Sequence, residues 1–200
     1  TKAIESISLK TDLRVIIYDD NEARNIVENF GDKLLLTCYD EMLPGAYRAD
    51  IFRLVILYMH GGIYLDAGVS LQSYERLTQL IENYNLVLCK ERPGYDVNDG
   101  IYSVLMCSVK EHPFIKLAID AIKEQIRRFD YGKTDLYVTG PGILGNTFRQ
   151  YYKHVCKLGP NKNPDDDYSA YILYNNKLEI TDSYNGLNIK ITHSKARDNY

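Results

Sequence analysis

The sequence predicts an α/β fold in which a mixed, mostly parallel central sheet is flanked by helices and followed by a C-terminal β-hairpin. Short apolar runs typical of buried strands recur along the chain, at residues 13–18, 34–38, 63–65 and 86–89. Segments with the apolar spacing of helices alternate with them, which is the order of a sheet built from βα units. Near the C-terminus, extended runs flank Asn185-Gly186, a sequence typical of a hairpin turn.

The composition is that of one globular domain with a substantial core. Of the 200 residues, 45% are hydrophobic and 26% are charged. The net charge of -3 includes no basic excess, so we expect no nucleic-acid partner. No apolar run approaches the ~18 residues of a membrane span. We expect residues 1–200 to form a single domain, and the start at Thr-Lys-Ala is consistent with excision from a larger protein.

The four cysteines, Cys38, Cys89, Cys107 and Cys156, are far apart in the sequence. They lack the Cys-x-x-Cys spacing of a zinc site or a redox dithiol. We interpret them as buried or incidental thiols of a reducing compartment, and we expect a cytoplasmic or cytosol-facing protein.

The first βα unit places polar side chains directly after its strand. Residues 13–18 form the β-branched run, and an acidic and amide cluster follows before a helical pattern. Ligands of α/β sheets bind beyond the carboxyl ends of the strands, which makes Tyr18 and Asp19 candidate binding residues. The alternative is that Asp20 or Asn21 only caps the helix.

The second βα unit leads to the most informative stretch of the chain, residues 46–71. Residues 47–58 have the apolar spacing of a helix, and Gly61-Gly62 should end it because glycine accepts the backbone conformation that closes a helix. The short apolar run after these glycines predicts a strand that ends at Asp66.

This stretch resembles the sugar-binding region of the DxD glycosyltransferases related to mannosyl- and capsule-polysaccharide transferases. The similar features are Arg-Ala-Asp, an arginine three residues later, Leu-Tyr, and Gly-Gly-Ile-Tyr-Leu-Asp, in that order. The resemblance implies a GT-A-like nucleotide-sugar-binding domain. It further implies a retaining glycosyltransferase that moves a sugar from a nucleoside diphosphate sugar, with UDP-sugar favoured over GDP-sugar, to a hydroxyl of a glycan acceptor.

The resemblance also implies roles for individual residues. Arg48, Asp50 and Tyr64 would hold the nucleotide sugar, and Asp66 would bind its divalent metal, Mn²⁺ or Mg²⁺, and act in catalysis. An oxygen-bound cation of this kind meets the negative charge that gathers on the leaving diphosphate. Arg53 can instead pair with Asp50 and hold it in place, and the plainest alternative is a set of exposed helix charges.

One position departs from the family pattern. Gly68 stands where the family has its second aspartate, so metal affinity should fall unless Asp96, Asp99 or His193 compensates. His193 is a candidate metal and diphosphate ligand, since family members often have a histidine near this position. An isolated surface histidine would look the same in the sequence.

Two later segments also match the family more loosely. Asn98-Asp99 lies in a polar loop and supplies two candidate catalytic residues; a solvated turn is the alternative. If the reaction is inverting, the candidate general bases are Asp99, Asp96 and Glu91. Residues 139–142, Thr-Gly-Pro-Gly, either present backbone N–H groups to an acceptor or phosphate, or simply begin a helix.

Two rival functions follow from the broken motif. Without its second carboxylate, the site suits a non-catalytic module that binds sugar nucleotides or glycans. Asp66, Gly68 and Ser70 also partly match the nucleophile loop of haloacid-dehalogenase-type phosphatases, although that loop normally ends the first strand of its fold.

Overall fold

The computed structural model describes residues 13–67, 74–90, 100–130, 132, 134–156, 170–176, 179–182 and 187–190. The helices in this part of the chain are α1 (Asp20–Asn29), α2 (Lys33–Glu41), α3 (Gly45–His60), α4 (Tyr74–Asn83), α5 (Pro113–Arg127), a 3₁₀ turn (Asp135–Tyr137) and α6 (Pro141–Cys156). The strands are β1 (Gly62–Leu65), β2 (Leu86–Lys90), β3 (Ile101–Ser108), β4 (Ala170–Asn176), β5 (Glu179–Asp182) and β6 (Leu187–Lys190).

The six strands form one mixed sheet in the order β1-β3-β2-β4-β5-β6. Only the β2–β4 pair is parallel among these strands, so the prediction of a mostly parallel sheet is wrong. The connections explain the result, because parallel neighbours need a crossover of about a dozen residues or more. Residues 91–100, 177–178 and 183–186 are too short for that, whereas α5 and α6 lie between β2 and β4.

Residues 34–38 were expected to be a strand, and they belong to helix α2. The Asp32 side chain caps this helix by accepting a hydrogen bond from the Leu35 backbone N–H at 3.0 Å. Leu35, Cys38 and Tyr39 are buried with helical spacing, whereas Leu34 is 43% exposed. The three consecutive leucines therefore face different directions, and the uninterrupted apolar run was a misleading strand signal.

Residues 13–18 were also expected to be a strand, but they have no regular secondary structure. Ile16 and Ile17 are 52% and 61% exposed, and no described strand pairs with them. Tyr18 packs against the core, with its ring edge-on to Phe52 at 5.4 Å between centroids. β-branched residues favour strands only when a neighbouring strand accepts their hydrogen bonds and covers their side chains.

Helices cover both faces of the sheet, and β2 shows how. Leu86 and Leu88 pack with α1, α2, α3, α5 and α6 in the larger core. Val87 and Cys89 face the opposite side, against Leu77 of α4. This alternation is the expected geometry of a strand buried on both faces.

Three further expectations concern the rest of the described chain. Cys38, Cys89 and Cys107 are buried. β5 and β6 pair in antiparallel fashion on either side of residues 183–186, the region that contains Asn185-Gly186. In the residues that the structure describes, no helix has the length and apolar character needed to cross a bilayer.

Candidate functional site

A close approach between α3 and the end of β3 places the candidate site. Gly61 ends α3 with a φ of +68°, and a Cβ at this position would lie 2.6 Å from the Lys110 backbone nitrogen. Only glycine fits both the conformation and the space. β1 can therefore follow α3 directly and pair with β3, and the Asp66 N–H extends this pairing by donating to the Val104 carbonyl at 3.1 Å.

Two charged residues of α3 meet inside the protein. Asp50 is 8% exposed and Arg53 is 4% exposed, so the reading of these residues as exposed helix charges is wrong. Arg53 Nη1 lies 3.1 Å from Asp50 Oδ1, which is the pairing that the sequence left open. This contact is an ion pair and not a hydrogen bond, because the N–H bonds of Nη1 do not point at the carboxylate oxygen. Nη1 has no hydrogen-bond partner among the described residues.

The same arginine reaches the end of β1. Arg53 Nη2 donates to Asp66 Oδ1 at 3.3 Å, and the Tyr64 hydroxyl donates to the same oxygen at 3.0 Å. The guanidinium carbon also lies 5.0 Å from the centre of the Tyr64 ring, a cation–π distance. Asp66 is thus held by two donors while its side chain remains 27% exposed, so it is the carboxylate through which this cluster meets solvent.

The charges of the cluster affect one another strongly. Burial raises the pKa of Asp50, and Arg53 and the Thr139 hydroxyl only partly oppose this shift. Burial disfavours the charge of Arg53, but Asp50 and Asp66 outweigh that effect and raise the pKa of the guanidinium. Burial also raises the pKa of Tyr64, which keeps its hydroxyl a hydrogen-bond donor. With both carboxylates ionised, two negative charges face one positive charge, an arrangement that favours an added cation.

Two hydroxyl groups that sequence reasoning did not select complete the surroundings of Asp50. Thr139 Oγ1 donates to Asp50 Oδ2 at 2.8 Å, and Ser103 Oγ donates to Oδ1 at 3.5 Å. Thr139 is fully buried, and Gly140 beside it is buried as well. The turn that begins α6 therefore faces Asp50. This position does not decide whether residues 139–142 present backbone N–H groups to a ligand or simply begin a helix.

Three other predicted binding residues, Tyr18, Asp19 and Arg48, lie outside the cluster of Asp50, Arg53 and Asp66. Tyr18 contacts Phe52, and Phe52 contacts the Tyr64 ring at 6.4 Å, so Tyr18 lies one aromatic ring away from the cluster. Asp19 caps α1, accepting from the Glu22 N–H at 2.8 Å, so the cap falls one residue before the positions proposed for it. Arg48 is half-buried near Tyr39 and makes no hydrogen bond or ion pair with Asp50 or Asp66 within the described chain.

Known proteins with similar sequences support the resemblance. Residues 2–87, which include α3, β1 and Asp66, match the family model described as "Glycosyltransferase sugar-binding region containing DXD motif". Residues 2–87 are therefore similar to a glycosyltransferase sugar-binding region. The resemblance seen in the sequence is thereby confirmed.

Relatives of this sugar-binding region include two proteins of Schizosaccharomyces pombe (strain 972 / ATCC 24843). Inositol phosphoceramide mannosyltransferase 3 is 28% identical over 69% of this chain and 36% of its own length. Inositol phosphoceramide mannosyltransferase 2 is 26% identical over 89% of this chain and 48% of its own length. The chain thus spans less than half the length of these curated relatives. An uncharacterized glycosyltransferase of Acanthamoeba polyphaga mimivirus is 26% identical over 80% of this chain and 67% of its own length.

A solved structure shows the same type of fold. The PaToxG glycosyltransferase superposes with a TM-score of 0.50 and 16% sequence identity, over 66% of this chain and 45% of that chain. The likeness supports a glycosyltransferase-like α/β fold for the described residues.

DXD-type glycosyltransferases generally use a divalent metal. The side chains that could bind such a metal in this region are therefore of interest. Among the described residues, no group of three or more metal-ligating side chains occurs. Both contacts of Asp66 fall on Oδ1, and no hydrogen bond from the described residues reaches Oδ2. One carboxylate oxygen fits Mg²⁺ or Mn²⁺ bound chiefly through substrate phosphates and water.

Several predicted residues lie outside the described part of the chain. They are Asn98 and Asp99 of the candidate catalytic pair, His193 of the metal site, the departing position Gly68, and the compensating candidate Asp96. Their roles stay predictions.

Proposed function

We propose that this chain is the donor-binding part of a glycosyltransferase that moves a hexose from a nucleoside diphosphate sugar to a hydroxyl of a glycan acceptor. The observation that carries the proposal is the partly exposed Asp66 carboxylate, held at the end of β1 by the buried Arg53. This arrangement lies within the residues that match the glycosyltransferase sugar-binding region.

The described side chains suit a diphosphate sugar. Arg53 is buried beside the exposed Asp66 carboxylate, so it supplies a fixed positive charge next to the group that would meet the donor. With Asp50 and Asp66 both ionised, the cluster would attract the cation that accompanies a diphosphate. A bound Mn²⁺ or Mg²⁺ would supply positive charge for the leaving diphosphate, and Asp66 would be its ligand from the described residues.

The finer features of the proposal come from the family resemblance. UDP-sugars are the favoured donors and GDP-sugars the alternative, and the reaction retains the configuration at the sugar. Two relatives are named as mannosyltransferases, so mannose belongs among the sugars to test. The buried thiols of Cys38 and Cys107, which form no disulfide among the described residues, support a reducing, cytosol-facing location.

Calorimetric titration tests the proposal. The full chain is titrated with UDP- and GDP-linked glucose, galactose and mannose, once with Mn²⁺ and once with chelator. Asp66→Asn removes the exposed carboxylate charge, and Asp120→Asn is the matched control on α5. We expect one donor to bind with Mn²⁺, and we expect this binding to be lost in Asp66→Asn but kept in Asp120→Asn.

The outcomes separate the rival functions. Absence of binding for every donor under both conditions would refute the proposal. Binding without transfer or hydrolysis of the sugar, measured with radiolabelled donor and a glycan acceptor, would favour the non-catalytic binding module. Binding that ignores both metal and Asp66→Asn would show that the altered DxD motif is not a metal site.

A further inference from the structure

We propose that Thr139 and Ser103 are positioning residues, whose hydroxyl groups fix the Asp50 carboxylate and thereby hold Arg53 against Asp66. This inference deepens the proposed function and rests on it for the meaning of the Asp66 site. Thr139 contributes the stronger contact, since its hydroxyl lies 2.8 Å from Asp50 whereas that of Ser103 lies 3.5 Å away.

The contacts form a continuous path from the core to solvent. The Thr139 hydroxyl contacts Asp50 Oδ2, Asp50 Oδ1 pairs with Arg53 Nη1 at 3.1 Å, and Arg53 Nη2 reaches Asp66 Oδ1 at 3.3 Å. Thr139 is 0% exposed, while the Asp66 side chain is 27% exposed. The exposed carboxylate is thus oriented through groups that do not themselves face solvent.

The turn that carries Thr139 is closely packed, so it can act as a fixed support. A Cβ on Gly142 would lie 2.6 Å from the Tyr137 ring, and a Cβ on Gly140 would lie 3.3 Å from the Leu136 carbonyl oxygen. The same Gly140 Cβ would lie 3.5 Å from Asp50 Oδ2. The Asp50 carboxylate therefore packs directly against this turn and has little room to rotate once the hydroxyl binds it.

The orientation of Asp50 matters because Arg53 interacts with two carboxylates, those of Asp50 and Asp66. Arg53 lies 3.1 Å from Asp50 and 3.3 Å from Asp66, and its Nε donates to the Ala49 carbonyl at 3.3 Å. If the Asp50 carboxylate rotates, the Arg53 guanidinium either moves with it and loses its contact with Asp66, or stays with Asp66 and loses its contact with Asp50. A charge-assisted hydrogen bond from a buried hydroxyl is among the stronger contacts that can prevent this rotation.

A pair of substitutions at Thr139 tests the inference. Thr139→Val keeps the shape of the side chain and removes the hydroxyl, whereas Thr139→Ser keeps the hydroxyl and removes a methyl group. Thr147→Val is the matched control, since Thr147 is a buried threonine of α6 about two helical turns beyond the turn that holds Thr139. The chain is studied at full length, with the donor found by the panel titration and its dissociation constant as the first measurement.

The second measurement needs no donor. The Arg53 Nε–H gives a signal in ¹H–¹⁵N spectra, and its chemical shift and solvent exchange report whether the guanidinium is fixed. We expect Thr139→Val to weaken donor binding about ten- to a hundredfold and to shift the Arg53 signal with faster exchange. We expect Thr139→Ser and Thr147→Val to resemble the wild type in both measurements.

The outcomes distinguish this inference from the proposed function. Wild-type behaviour of the Arg53 signal in Thr139→Val would overturn the positioning role, whether or not a donor binds. An altered Arg53 signal in Thr139→Val alone would support it, even if no nucleotide sugar binds the wild type and the proposed function fails. An equal loss of donor affinity in Thr139→Val and Thr139→Ser would also overturn the positioning role, because packing and not the hydroxyl would then be responsible.

Discussion

Replacement of Arg53 by methionine should destabilise the protein more than an ordinary surface substitution. Asp50 is 8% exposed, and without Arg53 its remaining partners among the described residues are the hydroxyls of Thr139 and Ser103. Breaking a buried ion pair by removing one partner costs about 3–5 kcal/mol, because the other charge stays buried without compensation. We therefore expect Arg53→Met to lower the free energy of unfolding by about 3–5 kcal/mol at pH 8, measured by urea denaturation followed by circular dichroism.

The cost should depend on pH in a defined direction. Burial already raises the pKa of Asp50 in the wild type, and loss of the guanidinium removes the main opposing charge. A carboxyl whose folded pKa lies above its unfolded pKa destabilises the fold progressively as the pH rises through the folded pKa. The loss in Arg53→Met should therefore be smaller at pH 5 than at pH 8.

Two further variants make this prediction decisive. Asp50→Asn combined with Arg53→Met leaves no ionised carboxyl at position 50, so its cost should be less than the sum of the two single substitutions. Arg48→Met, on the same helix and half-buried, should cost less than about 1 kcal/mol. A loss below about 1 kcal/mol in Arg53→Met at pH 8 would refute the buried ion pair.

Three other predictions concern stability. Burial lowers the pKa of His112 from 6.5 to about 4, and its Nδ1 accepts from the Phe114 N–H. Unfolding protonates this histidine, so stability should fall by at most about 3 kcal/mol as the pH drops from 6.5 to 4; urea midpoints of His112→Asn should show a weaker dependence. Gly61→Ala should lower the unfolding free energy by about 2 kcal/mol or more in thermal melts, whereas Gly45→Ala, with open space around it, should not. Asp19→Ala should cost about 1 kcal/mol and Asp19→Asn less than half of that, as expected for a helix cap; equal losses would contradict the capping role.

The features that the sequence predicted correctly depend on residues that are close together in the chain. Gly61 ends α3, the strand that follows ends just before Asp66, and Arg53 pairs with Asp50 three residues earlier. Each of these features depends on residues close together in the chain, and a helix–turn–strand order constrains them strongly. Residues 86–89 likewise form most of β2, since their apolar run is buried on both faces.

The errors came from features that depend on distant neighbours. Residues 13–18 and 34–38 had apolar runs suited to strands, but the rest of the fold offers them no described partner strand, and Asp32 starts a helix at the second run. Strand direction depends on connection lengths that a run of apolar residues does not reveal. Thr139 could not be linked to Asp50 from spacing, since the two residues are 89 positions apart.

That separation of 89 positions also bears on how the protein assembles during synthesis. Asp50 and Arg53 leave the ribosome well before Ser103 and Thr139, so the ion pair of α3 at first lacks the two hydroxyl groups that contact Asp50 in the folded protein. Contacts between residues so far apart form late, after the entropy of closing a long loop has been overcome. The cluster of Asp50, Arg53 and Asp66 therefore gains its last described hydrogen bond, from Thr139, only when the polypeptide has been made as far as the turn before α6.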